Sequence, residues 1–117
     1  MRILFVCHGN ICRSPMAEFI LKAMVKARGL DGLFYIESAA ISTEEIGNPI
    51  YPPAKRCLAQ HGIWFDPGKR ARQITGADYT RFCRDVADPW YTGDFEETFQ
   101  DLLEGCVCWL GSFGMEV

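Results

Sequence analysis

The sequence lacks any long hydrophobic run, any large excess of one charge, and any internal repeat or low-complexity tract. A membrane-spanning helix needs ~20 consecutive apolar residues, so the short apolar runs present predict none. The formal net charge of −3 gives no general attraction for nucleic acid, and we expect no nucleic-acid or membrane partner. With 49% hydrophobic and 23% charged residues, the composition is that of a folded chain. We therefore expect residues 1–117 to form a single domain.

Paired C-x2-C units, which are typical of structural zinc sites, are also missing, although the chain has six cysteines. We accordingly expect no structural zinc site. A chain of this length and apolar content does not need disulfides for stability. Residues 1–2 lead directly into an apolar run without a secretory cleavage pattern, so a cytoplasmic location with reduced thiols is expected.

The first forty residues alternate between strand and helix patterns. The apolar run at 3–6 predicts a short strand that is buried on both faces, as in a parallel sheet. Ser14 and Pro15 are predicted as the cap and first residue of a helix, and residues 34–38 as a second strand. This βαβ order predicts an α/β fold, Rossmann-like, with a parallel sheet flanked by helices.

Local signals mark three further features of the helices. A helix is predicted to end at His61, because Gly62 suits the left-handed conformation that follows many helices. Residues 75–78, Thr-Gly-Ala-Asp, have the spacing of a capping box that starts another helix. Glu18 and Lys22 lie four residues apart and are predicted to form a solvated ion pair on the outer helix face.

The residues between the first strand and the first helix carry the chemical signal. Cys7 ends the strand, and Arg13 follows six residues later. Because Gly9 and Asn10 tolerate positive φ, the backbone can curl until several N–H groups face one centre at the positive end of the helix. This pattern predicts a phosphate-binding loop that favours the nucleophilic thiolate form of Cys7. Arg13 would grip two phosphoryl oxygens, and Ser14 would donate a hydrogen bond to the Cys7 sulfur.

The same residues carry a family resemblance. The C-x5-R-S spacing over residues 7–14 resembles the signature of the low-molecular-weight protein tyrosine phosphatases. Residues 71–75, Ala-Arg-Gln-Ile-Thr, resemble the mid-chain motif of that family, and residues 88–91, Asp-Pro-Trp-Tyr, resemble its general-acid loop. The resemblance implies a phosphotyrosine phosphatase I-like fold and a cysteine-dependent, metal-independent hydrolase without a cofactor.

The resemblance also implies a two-step mechanism through a phosphocysteine. Cys7 would attack phosphorus while Asp88 protonates the leaving oxygen, and Asp88 would then activate the water that releases phosphate. Arg13 would stabilise the equatorial oxygens in both transition states. The implied phosphate-binding residues are His8, Gly9, Asn10, Ile11, Cys12, Arg13 and Ser14.

Further roles follow from the same resemblance. The implied substrate is a phosphotyrosine protein or a small aryl phosphate. The residues implied to line an apolar slot for the aryl ring are Ile11, Trp90 and Tyr91. The residues implied to support the loop are Asn10, Ser14 and Ser38. Cys12 would either form a protective disulfide with Cys7 under peroxide or pack inertly beside the loop.

The chain departs from the family pattern at two places. Relatives commonly carry a histidine shortly before Ala-Arg-Gln, whereas residues 68–70 are Gly-Lys-Arg, which predicts weaker support for the loop. We also expect the family's later two strands to be absent, with a missing segment near 82–85. The first strand would then expose an apolar edge. Three explanations stay open: the segment is skipped in the numbering, it is deleted naturally or by engineering, or a second chain covers the edge in a homodimer.

Two other functions stay open on the sequence alone. A thiol-dependent arsenate reductase resembles this fold and shares the anion loop, but it needs additional cysteines to relay a disulfide. Residues 106–108, Cys-Val-Cys, match such a relay poorly, and the Asp-Pro-Trp-Tyr motif favours a phosphatase. If the segment is truly deleted, the chain would be a catalytically weak phosphate-binding module or a self-associating fragment. Turnover of arsenate, or phosphate binding without turnover of an aryl phosphate, would distinguish these functions.

Overall fold

The computed structural model describes residues 2–11, 13–75, 77–78, 86–87 and 95–112. The elements in chain order are strand β1 (Arg2–Cys7), helix α1 (Arg13–Ala27), a 3-10 helix (Asp31–Leu33), strand β2 (Tyr35–Ala40), helix α2 (Pro52–Gln60), strand β3 (Val86–Ala87) and helix α3 (Phe95–Ser112). The predicted βαβ order is confirmed, and the fold is α/β. Within these residues, no helix has both the length and the apolar character needed to cross a bilayer.

The strands form one parallel sheet in the order β2-β1-β3. Strand β1 occupies the centre, where residues 3–7 are all buried. Its continuous apolar run therefore reflects burial on both faces, as predicted from the sequence. Cys7 pairs with Ala40, so the carboxyl ends of β1 and β2 lie side by side at one edge of the sheet.

The sheet has one strand more than the two evident in the sequence, and this strand covers part of the β1 edge. Val86 pairs with Leu4 and Ala87 pairs with Phe5, so β3 covers β1 on the side opposite β2. A strand of two residues is too short for hydrophobic periodicity to reveal. At Leu4 and Phe5 the edge of β1 is therefore not exposed, and the argument for a homodimer does not apply there.

Most of the core lies on the sheet face that α1 covers. Helix α1 contacts both β1 and β2, and α3 and α2 pack against α1. The largest fully buried side chains in this layer include Phe19, Met16, Ile20 and Leu58. On the opposite face, a smaller cluster contains Leu4, Val6 and Ala39, against which Ile74 packs. The larger layer holds α1, and with it the loop before α1, against the sheet.

Two helix ends set the geometry around the site. The prediction that Ser14 caps α1 is wrong, because α1 begins at Arg13 and places Ser14 inside its first turn. The predicted left-handed residue Gly62 is confirmed, with a φ of 69°. Gly62 N–H donates to Ala59 O at 3.0 Å, and Ile63 N–H donates to Leu58 O at 2.9 Å. These two bonds form a Schellman motif that ends α2.

A segment without regular structure extends the sheet edge beyond β2. Ala40 N–H donates to Arg72 O at 2.7 Å, and Ile74 N–H donates to Ala40 O at 2.8 Å. Gln73 thereby bridges Ala40 in the parallel sense. The pairing brings the mid-chain Ala-Arg-Gln motif to the carboxyl end of the sheet, where the loop after β1 also lies.

Candidate active site

The Cys7 sulfur lies at the carboxyl end of β1, inside the turn that leads to α1. Asn10 N–H donates a hydrogen bond to Cys7 Sγ at 3.3 Å. The Ser14 hydroxyl lies 3.1 Å from the same sulfur, with either atom able to donate. If Cys7 is a thiolate, the sulfur accepts both bonds, and hydrogen bonds to a charged acceptor are the stronger kind. The surroundings of the sulfur are therefore suited to a nucleophilic thiolate.

The loop after Cys7 has the curled backbone that its glycine and asparagine predict. Asn10 has a φ of 59°, and it is the one non-glycine residue with positive φ in the part of the chain described. A Cβ on Gly9 would approach Glu45 Cγ to 3.2 Å, so a larger residue would press on the neighbouring loop. Asn10 tolerates this left-handed conformation because its short, buried side chain forms hydrogen bonds with neighbouring segments.

The Asn10 side chain joins three segments of the chain. Its amide Nδ2 donates to Ser14 Oγ at 2.8 Å and to Ser38 Oγ at 2.9 Å. Its Oδ1 accepts a hydrogen bond from Arg72 N–H at 3.1 Å. Asn10 is only 1% exposed, so these bonds cannot be replaced by water without opening the core. The loop is therefore tied to α1, to β2 and to the mid-chain motif at a single residue.

The expectation that Glu18 and Lys22 form a solvated pair is wrong. The pair exists, with Lys22 Nζ 2.6 Å from Glu18 Oε2, but Glu18 is only 3% exposed. Glu18 Oε1 accepts a hydrogen bond from Ser38 Oγ at 2.5 Å. Helical spacing located the pair correctly, but it could not show that the sheet covers the Glu18 end. Glu18 thus belongs to the hydrogen-bond network that reaches Asn10 through Ser38.

Lys69 supplies the second cation for the buried carboxylate. Its Nζ lies 3.1 Å from Glu18 Oε1 and donates to Ser38 O at 3.4 Å. The Lys69 side chain is only 13% exposed. Lys69, from the Gly-Lys-Arg segment that departs from the family pattern, thus enters the network itself. The departure from the family pattern at 68–70 was the one sequence signal for this role of Lys69. The sequence could not show which carboxylate its long side chain would contact, because that depends on the tertiary structure.

A second ion pair orders the mid-chain motif. The Arg72 guanidinium donates to both Asp78 carboxylate oxygens, at 2.8 and 2.9 Å, and lies 3.8 Å from Glu37 Oε1. The Arg72 hydrogen bonds hold the pKa of Asp78 below its usual value, and the same bonds raise the pKa of Arg72. The predicted capping box is confirmed, since Thr75 N–H donates to Asp78 Oδ2 and Asp78 N–H donates to Thr75 Oγ1. This box fixes Asp78, and Asp78 in turn orients Arg72.

The other predicted site residues fall into two groups. Arg13 begins α1 and is half-buried, Ile11 is half-buried, and the exposed His8 side chain lies 3.0 Å from Glu44. Ile11 O accepts a hydrogen bond from Tyr51 N–H at 2.7 Å, which anchors the loop to the start of α2. The predicted residues that lie outside the described part of the chain are Cys12, Asp88, Trp90 and Tyr91.

Comparison with known proteins gives the class of protein. A family model described as "Low molecular weight phosphotyrosine protein phosphatase" matches residues 2–83, which is more than half of the chain. The chain belongs to this family. The matched range contains the Cys7 loop, β2 and the mid-chain motif, and it stops before Asp88.

Individual relatives show where the chain and the family differ. "Low molecular weight protein-tyrosine-phosphatase YfkJ" of Bacillus subtilis is 34% identical over 151 aligned positions, covering 97% of this chain and 96% of the relative. The alignment is longer than the 117 residues of this chain, so YfkJ has positions without a counterpart here. The rat "Low molecular weight phosphotyrosine protein phosphatase" is 44% identical over 80 residues, covering 68% of this chain. The chain spans about half the length of the animal relatives it matches, 49% for the rat protein.

Solved structures have the same fold. The chain superimposes on SP-PTP, a low molecular weight protein tyrosine phosphatase from Streptococcus pyogenes, with a TM-score of 0.82 and 34% identity. That match covers 95% of this chain and 91% of the other. YfkJ from Bacillus subtilis gives a TM-score of 0.86 at 32% identity, covering 97% and 94%. The architecture is thus that of the family, although the chain is shorter than the alignment with YfkJ.

Proposed function

We propose that the protein is a phosphotyrosine phosphatase that hydrolyses aryl phosphates through a phosphocysteine. The observation that carries the proposal is the Cys7 sulfur, which receives the Asn10 N–H and lies against the Ser14 hydroxyl in the turn before α1. Membership of the family supports the same reaction. A phosphoryl dianion placed in this turn would meet backbone N–H groups and the positive end of α1.

The proposed reaction has two displacements at phosphorus. In the first, the Cys7 Sγ–P bond forms and the bond from phosphorus to the phenolic oxygen breaks, while Asp88 gives its proton to that oxygen. In the second, water attacks phosphorus, its proton passes to Asp88, and the S–P bond breaks. The Ser14 hydroxyl, 3.1 Å from the sulfur, would stabilise the departing thiolate. Arg13 would hold the equatorial oxygens throughout.

The substrate contacts are part of the proposal. Binding would use the loop residues His8, Gly9, Asn10, Ile11, Cys12, Arg13 and Ser14. The aryl ring would contact Ile11, Trp90 and Tyr91 in an apolar slot. A ring in this slot would favour phosphotyrosine over phosphoserine, because the shorter side chain would not bring its phosphate to the loop.

The test is hydrolysis of p-nitrophenyl phosphate by the full chain and by two cysteine variants. Cys7→Ser should abolish turnover while retaining binding of inorganic phosphate, whereas Cys108→Ser, at an exposed position on α3, should be as active as the parent. Rapid quenching should trap one phosphoryl group on the parent enzyme and none on Cys7→Ser. Equal turnover by the parent and Cys7→Ser would refute the nucleophile. Phosphate binding without turnover by the parent would identify a phosphate-binding module instead.

Nothing in the described residues favours the arsenate reductase. A relay would need a second thiol that ionises readily, but burial raises the pKa of the Cys106 thiol to about 12. Cys108 is exposed on the same helix, but its neighbour Cys106 is buried, so the two thiols would not exchange a disulfide readily. A phosphatase is therefore the function that the site supports best.

We also propose that residues 1–117 act as one phosphatase domain in the cytoplasm. None of the cysteines that the structure describes, Cys7, Cys57, Cys106 and Cys108, is part of a disulfide, which suits a reducing compartment. Peptide mapping by mass spectrometry tests the domain proposal, because a peptide with additional residues between positions 80 and 88 would show a segment omitted near 82–85. Alkylation of the native protein before and after reduction would test the redox state.

A further inference from the structure

Three side chains with metal-binding atoms meet between α2 and the start of α3. Cys57 and His61 lie one helical turn apart at the end of α2, and Glu96 is the second residue of α3. One ligand atom from each of the three residues lies within 4.8 Å of the others. None of them belongs to the Cys7 loop, so the proposed phosphatase chemistry does not account for the cluster.

In this cluster the cysteine–carboxylate distance matches a tetrahedral metal site, whereas the histidine–carboxylate distance is that of a hydrogen bond. Cys57 Sγ is 3.7 Å from Glu96 Oε2, and His61 Nε2 is 2.8 Å from the same oxygen and 2.9 Å from Oε1. Zinc bonds of about 2.0–2.3 Å to oxygen, nitrogen and sulfur place neighbouring ligand atoms roughly 3.3–3.7 Å apart. A small outward movement of the exposed Glu96 side chain would therefore make room for an ion.

We propose that Cys57, His61 and Glu96 bind a Zn²⁺ ion that links α2 to α3. A thiolate, an imidazole and a carboxylate form a ligand set that zinc accepts, whereas calcium and magnesium prefer oxygen ligands alone. Binding releases the Cys57 thiol proton to solvent. It also removes any proton from His61 Nε2, which leaves the neutral ring with its N–H at Nδ1. Because His61 and Glu96 face solvent, water would supply the fourth ligand.

The surrounding structure holds two of the ligands in place. The His61 ring stacks on Phe99, with centroids 3.8 Å apart and planes 12° from parallel. The Schellman motif at Gly62 fixes the backbone that carries His61, and Cys57 is buried in the main core cluster. Two of the three ligands are thus preorganised, and the third, Glu96, is on an exposed side chain.

The sequence predicts no metal site because paired C-x2-C units are absent. A cysteine and a histidine at i and i+4 on one helix share a face, but one helix supplies only two ligands. The third comes from a residue 35 positions further along than His61, through the packing of α3 on α2. Only the tertiary structure brings the three together.

The experiment is a metal titration of the full chain carrying Cys7→Ser, which removes the proposed catalytic thiol as a competing ligand. Zn²⁺ should bind with a stoichiometry of one by calorimetry, and Co²⁺ should give a thiolate-to-cobalt charge-transfer band in the near ultraviolet. Adding Cys57→Ser should abolish the band. His61→Ala and Glu96→Gln, both at exposed positions, should each weaken Zn²⁺ binding by at least ~10-fold.

Matched controls make each outcome decisive. His8 and Glu44 form another exposed histidine–carboxylate pair, 3.0 Å apart, and in the described residues they belong to no group of three metal-ligating side chains. Glu44→Gln and Cys108→Ser should therefore leave Zn²⁺ affinity unchanged. Absence of one-equivalent binding would overturn the proposal, and so would a charge-transfer band that survives Cys57→Ser. If Cys57→Ser fails to fold, Zn²⁺ affinity unaffected by Glu96→Gln would overturn it equally.

Discussion

Removing the Lys69 ammonium tests whether the buried carboxylate network supports the fold and the site. In Lys69→Met, Glu18 loses one of its two cations, while Lys22 and Ser38 remain in contact with it. Methionine keeps most of the length and apolar volume of the lysine stem, so the change is mainly one of charge. Lys22→Met is the matched control, because Lys22 contacts the same carboxylate from a more exposed position.

The structure sets the size of the expected difference. The side chains of Lys69 and Glu18 are 13% and 4% exposed, so their 3.1 Å contact is largely shielded from water. A hydrogen bond to a charged group in such a place contributes about 2 kcal/mol to the free energy of unfolding. The Lys22 side chain is 39% exposed and forms an i,i+4 pair. Pairs of that kind contribute about 0.3–0.5 kcal/mol.

Urea unfolding at pH 7 measures both effects. For a chain of this size the denaturant slope is about 2 kcal/mol per molar, so Lys69→Met should lower the midpoint by ~1 M and Lys22→Met by ~0.2 M. We also expect kcat to fall further in Lys69→Met, since the network orients Asn10 through Ser38. Equal midpoint shifts for the two variants would refute the assignment of Lys69 as the buried partner of Glu18.

Three further predictions concern other parts of the described structure. Asn10→Ala should destabilise the fold by more than ~1 kcal/mol in urea unfolding, because it removes three hydrogen bonds and places alanine at positive φ. Asp78→Asn should destabilise at pH 7. The difference from the parent should shrink below pH 3.8, the unfolded value, because Arg72 lowers the folded pKa of Asp78 and that contribution disappears on protonation. In alkylation mapped by mass spectrometry, exposed Cys108 should react well before Cys106, whose pKa is raised to about 12, and the reverse order would contradict this burial.

Local signals in the sequence determined the framework of the candidate site. The run at 3–6 specified a two-sided buried strand, because only a central parallel strand is apolar at successive positions. The Gly-Asn pair after Cys7 indicated a curled loop, and Asn10 has the positive φ that such a loop needs. The capping box at 75–78 and the helix end at Gly62 were also readable, since both depend on bonds within a few residues.

The tertiary structure decided which polar groups are buried and which distant residues meet. Glu18 appears on sequence spacing as a surface residue, but the packing of α1 on the sheet places its carboxylate against Ser38 and Lys69. Strand β3 escaped prediction because two residues carry no periodicity, although they cover the edge of β1. Cys57 meets Glu96 only through helix packing. Short-range hydrogen bonds and backbone preferences depend on residues that are neighbours in the sequence, whereas burial and long-range contacts depend on how the whole chain packs.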